Sequence, residues 1–563
     1  MIQLLHDNMA PIMFAALVII LLLGYPVAFS LAFVGLSFGL VGISLGLLDT
    51  HLFHLLPERM WGILSNETLL AIPFFTYMGL ILERSGMAED LLDTVGQLFG
   101  PVRGGLAYAV VFVGALLAAT TGVVAASVIA MGLISLPIML RYGYDRRLAT
   151  GVIAASGTLA QIIPPSLVLI IMADQLGRSV GDMYKGALIP GLVLAGLYAG
   201  YVLIMTVIRP KSAPALPVES RTLGPGIISL LVAAVVSGGI GYGIYFLLAD
   251  KIQGSEMAGF FGGVLVAYGA ALANHYLKLG LLSRLAEQFI IVLIPPLALI
   301  FLVLGTIFIG LATPTEGGAM GACGAMLLAM AKRRLTFTMV RQALESTAKL
   351  SAFVLFILIG ARVFSLTFYG VNGHVWVENL LISLPGGQIG FLLVVNALVF
   401  VLAFFLDFFE LAFIVVPLLK PAAETLGIDI IWFGVLLGIN MQTSFMHPPF
   451  GFALFYLRSV APRERYRDKS SGRIIDGVTT GQIYWGAIPF VGIQLIMVVL
   501  AIVFPQMIMH YKGAENANPQ TIEFTQPPSD QGNGDLSQPP DLGQPPDLGQ
   551  PPDLSQPPQI NPQ

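Results

Sequence analysis

The sequence predicts an all-α polytopic membrane protein with two inverted-topology repeats. Each repeat has five spans, a re-entrant helical hairpin and a broken helix, and two extra spans lie between the repeats. Three observations predict this plan. Hydrophobic residues make up 56% and charged residues 11% of the 563-residue chain, with a mean hydropathy of +0.84; a soluble domain carries roughly 25% charged residues. Two apolar stretches, ASGTLAQIIPPS (Ala155 to Ser166) and GVLLGINMQTSFMHPPFG (Gly434 to Gly451), contain Gly, Ser or Thr and then a Pro-Pro pair where a continuous helix would otherwise run. Finally, the two halves of the chain are weakly similar to each other.

With about 20 apolar residues per crossing, spans fall near 9–25, 27–48, 66–83, 148–175 and 187–208. A second set falls near 288–310, 315–331, 349–367, 431–457 and 483–509, with two further spans near 226–248 and 258–276. The start of the chain, MIQLLHDNMAP, lacks the basic region of a signal peptide, so the first apolar stretch reads as a retained span. The blocks at 106–140 and 388–420 are longer than one span and too short for two. Both read as re-entrant helical hairpins, the first turning near Ala119 to Gly122 and the second near Phe405 to Glu410.

Charge sets the orientation. Arg103, Arg141, Arg146 and Arg147 flank the first hairpin on both sides, whereas His374, Glu378, Glu424 and Asp429 flank the second with Lys420 as its only base. The positive-inside bias puts the first set in the cytoplasm, together with Arg209, Lys211, Lys332 to Arg334 and the cluster from Arg458 to Arg473. Both termini then fall outside. The net charge of −4 gives no reason to expect nucleic acid, and a single cysteine, Cys323, excludes a disulfide within the chain or a thiolate metal cluster.

Sliding one half along the other aligns Gly104-Gly105 with Gly386-Gly387, GYD (Gly143 to Asp145) with LGID (Leu426 to Asp429), and Gln161 and Pro164-Pro165 with Gln442 and Pro448-Pro449. It also aligns MYKGALIPG (Met183 to Gly191) with IYWGAIPFVG (Ile483 to Gly492). Five crossings is an odd number, so the second copy is inverted. This is the plan of secondary transporters. The domains are therefore 1–210, first repeat; 211–287, a linker with two extra helices; 288–510, second repeat; and 511–563, a tail in which QPPDLG recurs and no apolar face is available to bury.

Backbone freed at bilayer depth is tolerated where it lines a polar cavity, so paired breaks point to a substrate and ion site. Sodium is held by several oxygens, which carbonyls, hydroxyls and a carboxylate supply. One candidate site is Thr121, Gly122, Ser156, Gly157 and Thr158; the other is Asp407, Asn440, Gln442, Thr443 and Ser444. Gln161, Ser166 and Glu410 join Asn440 and Gln442 along the substrate pathway, with Arg362 a possible partner for Glu410. Each has a structural alternative. Small polar residues also let helices approach closely, and the prolines keep a helix open by lacking N–H donors. His447 reads as a neighbour of the break rather than a proton carrier. Glu316 reads as a helix cap, and Asn66 with Glu67 as a helix start.

The runs IPFFTYMGLILERSGMAEDLLD (Ile72 to Asp93), GALLAATTGVVAASV (Gly114 to Val128) and MGLISLPIMLRYGYD (Met131 to Asp145), with the two broken-helix stretches, resemble the large membrane subunit of TRAP transporters, the tripartite ATP-independent periplasmic family. The resemblance covers residues 9–210 and 288–509. It implies a multi-pass protein of the bacterial inner membrane that imports organic acids, driven by sodium as the coupling ion and needing no other cofactor. It also implies an elevator motion, a small four-helix membrane subunit and a periplasmic substrate-binding protein. By the same resemblance, sodium sites lie at Thr121-Gly122, the first broken helix, Asp407 and Thr443-Ser444. Val123 departs from a small polar residue common in the family, and FFELAF after Asp407 resembles a branch labelled for mannitol or chloroaromatic compounds. The alternative is a standalone cation-coupled carrier that works without a binding protein. An intramembrane hydrolase using Ser444, His447 and Asp407 is disfavoured, because no nucleophile turn surrounds Ser444.

Overall fold

The computed structural model describes residues 8–121, 124–249, 255–449, 451–468 and 472–512. Gly122, Val123, Lys469 and the repetitive tail after residue 512 lie outside the described residues. The described chain is helical apart from its loops and one two-residue β ladder, in which Tyr466 and Arg467 (β1) pair with Ile475 and Ile474 (β2). Eight helices among the described residues are long and apolar enough to cross a membrane, or nine if the pair Gly373–Ile382 and Gly387–Leu402, bent by 118°, forms one span.

The first part of the chain contains α1 (Met9–Leu22), α2 (Val27–Ser44), α3 (Leu56–Leu64), α4 (Ala71–Arg84) and α5 (Met87–Phe99). Two helices that pack on each other, α6 (Gly105–Thr121) and α7 (Val124–Arg141), occupy the first hairpin block. The first broken helix is α8 (Arg146–Thr158), a 3-10 turn Leu159–Gln161, and α9 (Leu167–Leu176); α10 (Val180–Ile208) follows. Two middle helices, α11 (Ile227–Leu248) and α12 (Ser255–Leu277), pair through glycines. A Cβ added at Gly259 would come within 2.7 Å of the Gly241 carbonyl oxygen.

The second part runs through α13 (Arg284–Phe308), α14 (Pro314–Ala331), α15 (Phe337–Gly370) and α16 (Gly373–Ile382). The second hairpin block holds α17 (Gly387–Leu402), a short helical turn Phe408–Glu410, a π-helical stretch Leu411–Val415, and α18 (Val416–Thr425). The second broken helix is α19 (Ile430–Met441), a 3-10 turn Gln442–Phe445, and α20 (Phe452–Val460); α21 (Thr480–Val503) closes the bundle.

Several expected spans are shorter than a bilayer. α1 and α4 have 14 residues each, and α14 is diluted by Gly317, Gly318, Gly321 and Gly324. These glycines let α14 lie against α4: a Cβ at Gly318 would sit 3.0 Å from Phe74 Cβ. Small residues driving close backbone approach is the rule where water supplies no hydrophobic force. α15, with 34 residues, extends well beyond the expected span on its N-terminal side and packs on α2, where Thr367 donates to the Gly35 carbonyl at 2.8 Å.

The corners leading into the two broken helices are built alike. Gly143 (φ +82°) ends α7, and Gly427 (φ +69°) ends α18, each in the left-handed region that glycine accepts without cost. Two residues further on, the Asp145 carboxylate accepts from the Arg147 and Leu148 amides at 2.9 and 3.1 Å. Asp429 does the same for Ile431 and Trp432 at 2.9 and 3.0 Å. Such caps contribute about 1 kcal/mol each.

Beyond the corners the packing is reciprocal. α8 lies on α21, where a Cβ at Gly486 would overlap the Arg147 carbonyl, and α19 lies on α10, where a Cβ at Gly186 would meet Ile431 Cγ2 at 3.4 Å.

Charged side chains collect at the two ends of the bundle. Arg141 pairs with Asp468 at 2.9 Å and Arg146 with Asp476 at 3.5 Å, while Lys332 and Arg334 hold Asp90 at 2.9 and 3.0 Å. At the other end Arg178 and Lys420 approach Glu424 at 4.0 and 3.9 Å, and Asn66 donates to Asp174 at 2.5 Å.

Candidate functional site

The two breaks lie in the interior. Ser156 and Thr158 are fully buried in the last turn of α8, and Gly157 shares that turn because only hydrogen fits there: a Cβ would come within 3.2 Å of the Val128 backbone nitrogen on α7. From the other side Gly114 of α6 admits Ser156, so both helices of the first block grip the break. Thr121 ends α6, and Gly122 lies outside the described residues. After the 3-10 turn the Ser166 hydroxyl donates to the Gln161 carbonyl at 2.5 Å. The Ser166 carbonyl in turn accepts from the Tyr184 hydroxyl at 3.4 Å.

The second break repeats the pattern. Asn440, Gln442, Thr443 and Ser444 are buried. The Asn440 amide donates to the carbonyl and side-chain oxygens of Asn396 on α17 at 2.7 and 3.0 Å, and Thr443 donates to the Asn440 carbonyl at 2.7 Å. His447 is clasped by the first leg of the second hairpin block, stacked on Phe404 at a ring separation of 4.0 Å and edge-on to Phe400 at 4.5 Å. A hydrogen-bonded bridge joins the breaks to each other. Thr158 Oγ1 accepts from Gln442 Nε2 at 3.0 Å and from Gln494 Nε2 of α21 at 3.5 Å, and Gln494 also donates to the Tyr198 hydroxyl of α10 at 3.0 Å.

A group of oxygens is left over. Ser156 Oγ, Gln161 Oε1, Asn440 Oδ1, Gln442 Oε1 and Ser444 Oγ are buried without a hydrogen-bond partner among the described residues. Leaving such an atom unsatisfied costs about 1–3 kcal/mol; two of these oxygens belong to the first break and three to the second, and Gln494 Oε1 beside the bridge is likewise without a partner among the described residues. No cluster of three His, Cys, Asp or Glu side chains able to hold a metal occurs among the described residues.

Asp407 and Glu410 make a different arrangement from the one expected. Asp407 Oδ1 accepts from the Glu410 amide and Glu410 Oε2 accepts from the Asp407 amide, both at 2.9 Å, forming a capping box at the start of the second leg. Glu410 therefore does not pair with Arg362; no ion pair joins them among the described residues. Nor does a hydrogen bond join Asp407 to Asn440, Gln442, Thr443 or Ser444 there. The other caps fall where expected: Thr313 and Glu316 form a capping box, and Asn66 accepts from Thr68. The sequence reading missed Gln494, Tyr198 and Asn396. Gln494 and Asn396 are isolated amides in otherwise apolar runs, and that isolation is the signal.

Two interrupted helices, bridged to each other and presenting buried oxygens at their breaks, are the arrangement of a membrane transport protein. Residues 14–507 match the family described as "Tripartite ATP-independent periplasmic transporter, DctM component". The C4-dicarboxylate TRAP transporter large permease protein DctM of Rhodobacter capsulatus is 30% identical over 465 residues, 79% of this chain and 89% of that one. The DctM protein of Pseudomonas aeruginosa is 27% identical over 79% of this chain and 86% of its own. The sialic acid large permease protein SiaM of Vibrio cholerae is 24% identical over 78% and 87%. The chain belongs to this family: it is the large permease subunit of a TRAP transporter and not an enzyme.

Proposed function

We propose that the chain imports small organic acids through the inner membrane, coupled to sodium, and receives its substrate from a periplasmic binding protein in a complex with a small four-helix membrane subunit. The observation that carries this reading is the set of five buried, unpartnered oxygens at the two breaks. Ser156 and Gln161 would serve one sodium site beside Thr158, whose hydroxyl is committed to the bridge, and Asn440, Gln442 and Ser444 the other with Thr443. Bound sodium supplies positive charge beside an anionic substrate. The relatives' names, C4-dicarboxylate and sialic acid transporters, support an organic acid as cargo.

In this reading residues 1–210 and 288–510 are inverted repeats, and the blocks containing α6–α7 and α17–α18 are re-entrant hairpins. The matched corners at Asp145 and Asp429 and the reciprocal seating of Gly486 and Gly186 support that arrangement. Hairpins and broken helices then move together as an elevator against the remaining helices. The Asp407–Glu410 capping box fixes the tip of the second hairpin, and the Asp407 carboxylate contributes negative charge to the cation site.

The test is uptake into proteoliposomes holding this chain and its small subunit, with and without the binding protein, under an imposed sodium gradient. Wild type is compared with Asp407→Asn and Asp407→Ser; serine keeps the cap and removes the charge. Uptake that requires sodium and the binding protein, and is lost in both variants, is the expected result. Sodium-dependent uptake retained in Asp407→Ser would reduce Asp407 to a helix cap.

A further inference from the structure

Arg362 lies within α15, a helix apolar enough to span a membrane, yet no carboxylate pairs with it among the described residues. An unpaired guanidinium inside a span is costly and is retained where it meets a ligand or a polar cavity. Here it lines a cleft of about 430 Å³ with Arg59, Gln175, Ser365, Tyr369, Lys420 and one carboxylate, Glu424. Arg59 likewise has no acidic partner there. Lys420 reaches only Glu424, at 3.9 Å, and Glu424 is shared with Arg178 at 4.0 Å. Three cations thus surround a space with one divided counter-charge.

The walls of the cleft come from separate elements: α3, the end of α9, α15, and the second leg of the second hairpin block. These ends belong to the face that the charge distribution assigns to the outside, and α9 is itself the second half of the first broken helix. The volume suits a small organic anion, since ligand pockets run from roughly 300 to 1,000 Å³. A guanidinium presents a planar fork of donors that matches a carboxylate or sulfonate bidentately. The Gln175 amide and the Ser365 hydroxyl add neutral groups able to orient the rest of a molecule.

We propose that this cleft is a receiving site for the substrate's acidic group, in which Arg362 and Arg59, assisted by Lys420, hold a carboxylate before it passes to the helix breaks. This rests on the organic-acid reading above.

The test measures the charge preference of the cleft without requiring transport. In a Cys323→Ser background, Ser365→Cys places a thiol in the cleft. The complex with the small subunit, in nanodiscs without sodium, is labelled with the anionic ethylsulfonate or the cationic ethyltrimethylammonium methanethiosulfonate. The anionic reagent is expected to react faster, relative to the pair's ratio on a free thiol. Arg362→Gln or Arg59→Gln should each cut that preference about fivefold, as expected for one charge removed at close range; Arg362→Lys should retain it. Succinate or N-acetylneuraminate should slow the labelling. A ratio equal to that of a free thiol, or one unchanged by both glutamine variants, overturns the site. Protection by sulfate but by neither organic anion overturns the carboxylate assignment. Failure of the transport reading shows separately, as an absence of sodium-driven uptake by wild type.

Discussion

Gln442 donates its side-chain amide to the Thr158 hydroxyl at 3.0 Å, joining the two broken helices across 284 positions of sequence. The same hydroxyl donates to the Ala155 carbonyl at 2.8 Å and accepts from Gln494 at 3.5 Å, so one small side chain holds three elements in register.

Thr158→Val removes that hydroxyl at nearly constant volume and strands the buried Gln442 amide, whereas Gln494 keeps its bond to Tyr198. Thermal unfolding of the purified chain should show a loss of about 1–3 kcal/mol. Adding Gln442→Leu should recover part of it, because the stranded donor goes too. A strictly additive double variant would mean that the bond contributes nothing to coupling the breaks.

Gly486→Ala places a methyl group against the Arg147 carbonyl, a backbone atom that has no room to yield. We expect destabilisation of about 1–3 kcal/mol, as for an overpacked core, seen as a lower melting temperature and less monodisperse protein on size exclusion. Gly492→Ala, on the same helix with open space around it, is the control and should behave as wild type.

Asp468→Asn breaks the ion pair with Arg141. Asp468 is 5% exposed, and a pair of this intermediate burial should contribute about 1–2 kcal/mol. The visible consequence is local: trypsin should cut faster at Arg463, Arg465 and Arg473 around the small β ladder, with sodium-driven uptake little changed. Unaltered cleavage would show that the ladder is held by other contacts.

Much of this organisation was legible in the sequence for definite physical reasons. Proline pairs lacking N–H donors mark the breaks at Pro164-Pro165 and Pro448-Pro449, and a glycine followed two residues later by aspartate marks each corner, since one supplies positive φ and the other a cap. The relation of Asp407 to Glu410 was legible too, as an aspartate followed three residues later by glutamate; offering Glu410 either to Arg362 or to the substrate pathway overlooked that local bond. The bend before α17 was hidden, because Gly373–Ile382 falls between the span expected near 349–367 and the block at 388–420, with His374, Glu378 and Asn379 interrupting its apolar residues. Which amides would meet Thr158 was also hidden, because a lone Gln494 announces a polar need and not its partner.

The reciprocal seating of Gly486 on Arg147 and Gly186 on Ile431 also bears on how the chain is made. As synthesis proceeds, α8 and α10 enter the membrane with these contact surfaces uncovered, and they stay so until α19 and α21 arrive near the other end. The first half therefore depends on the second to complete it. A ribosome halted in the middle helices would leave a fragment whose glycine-lined surfaces have no native counterpart, and membrane quality-control proteases would meet it as an orphan.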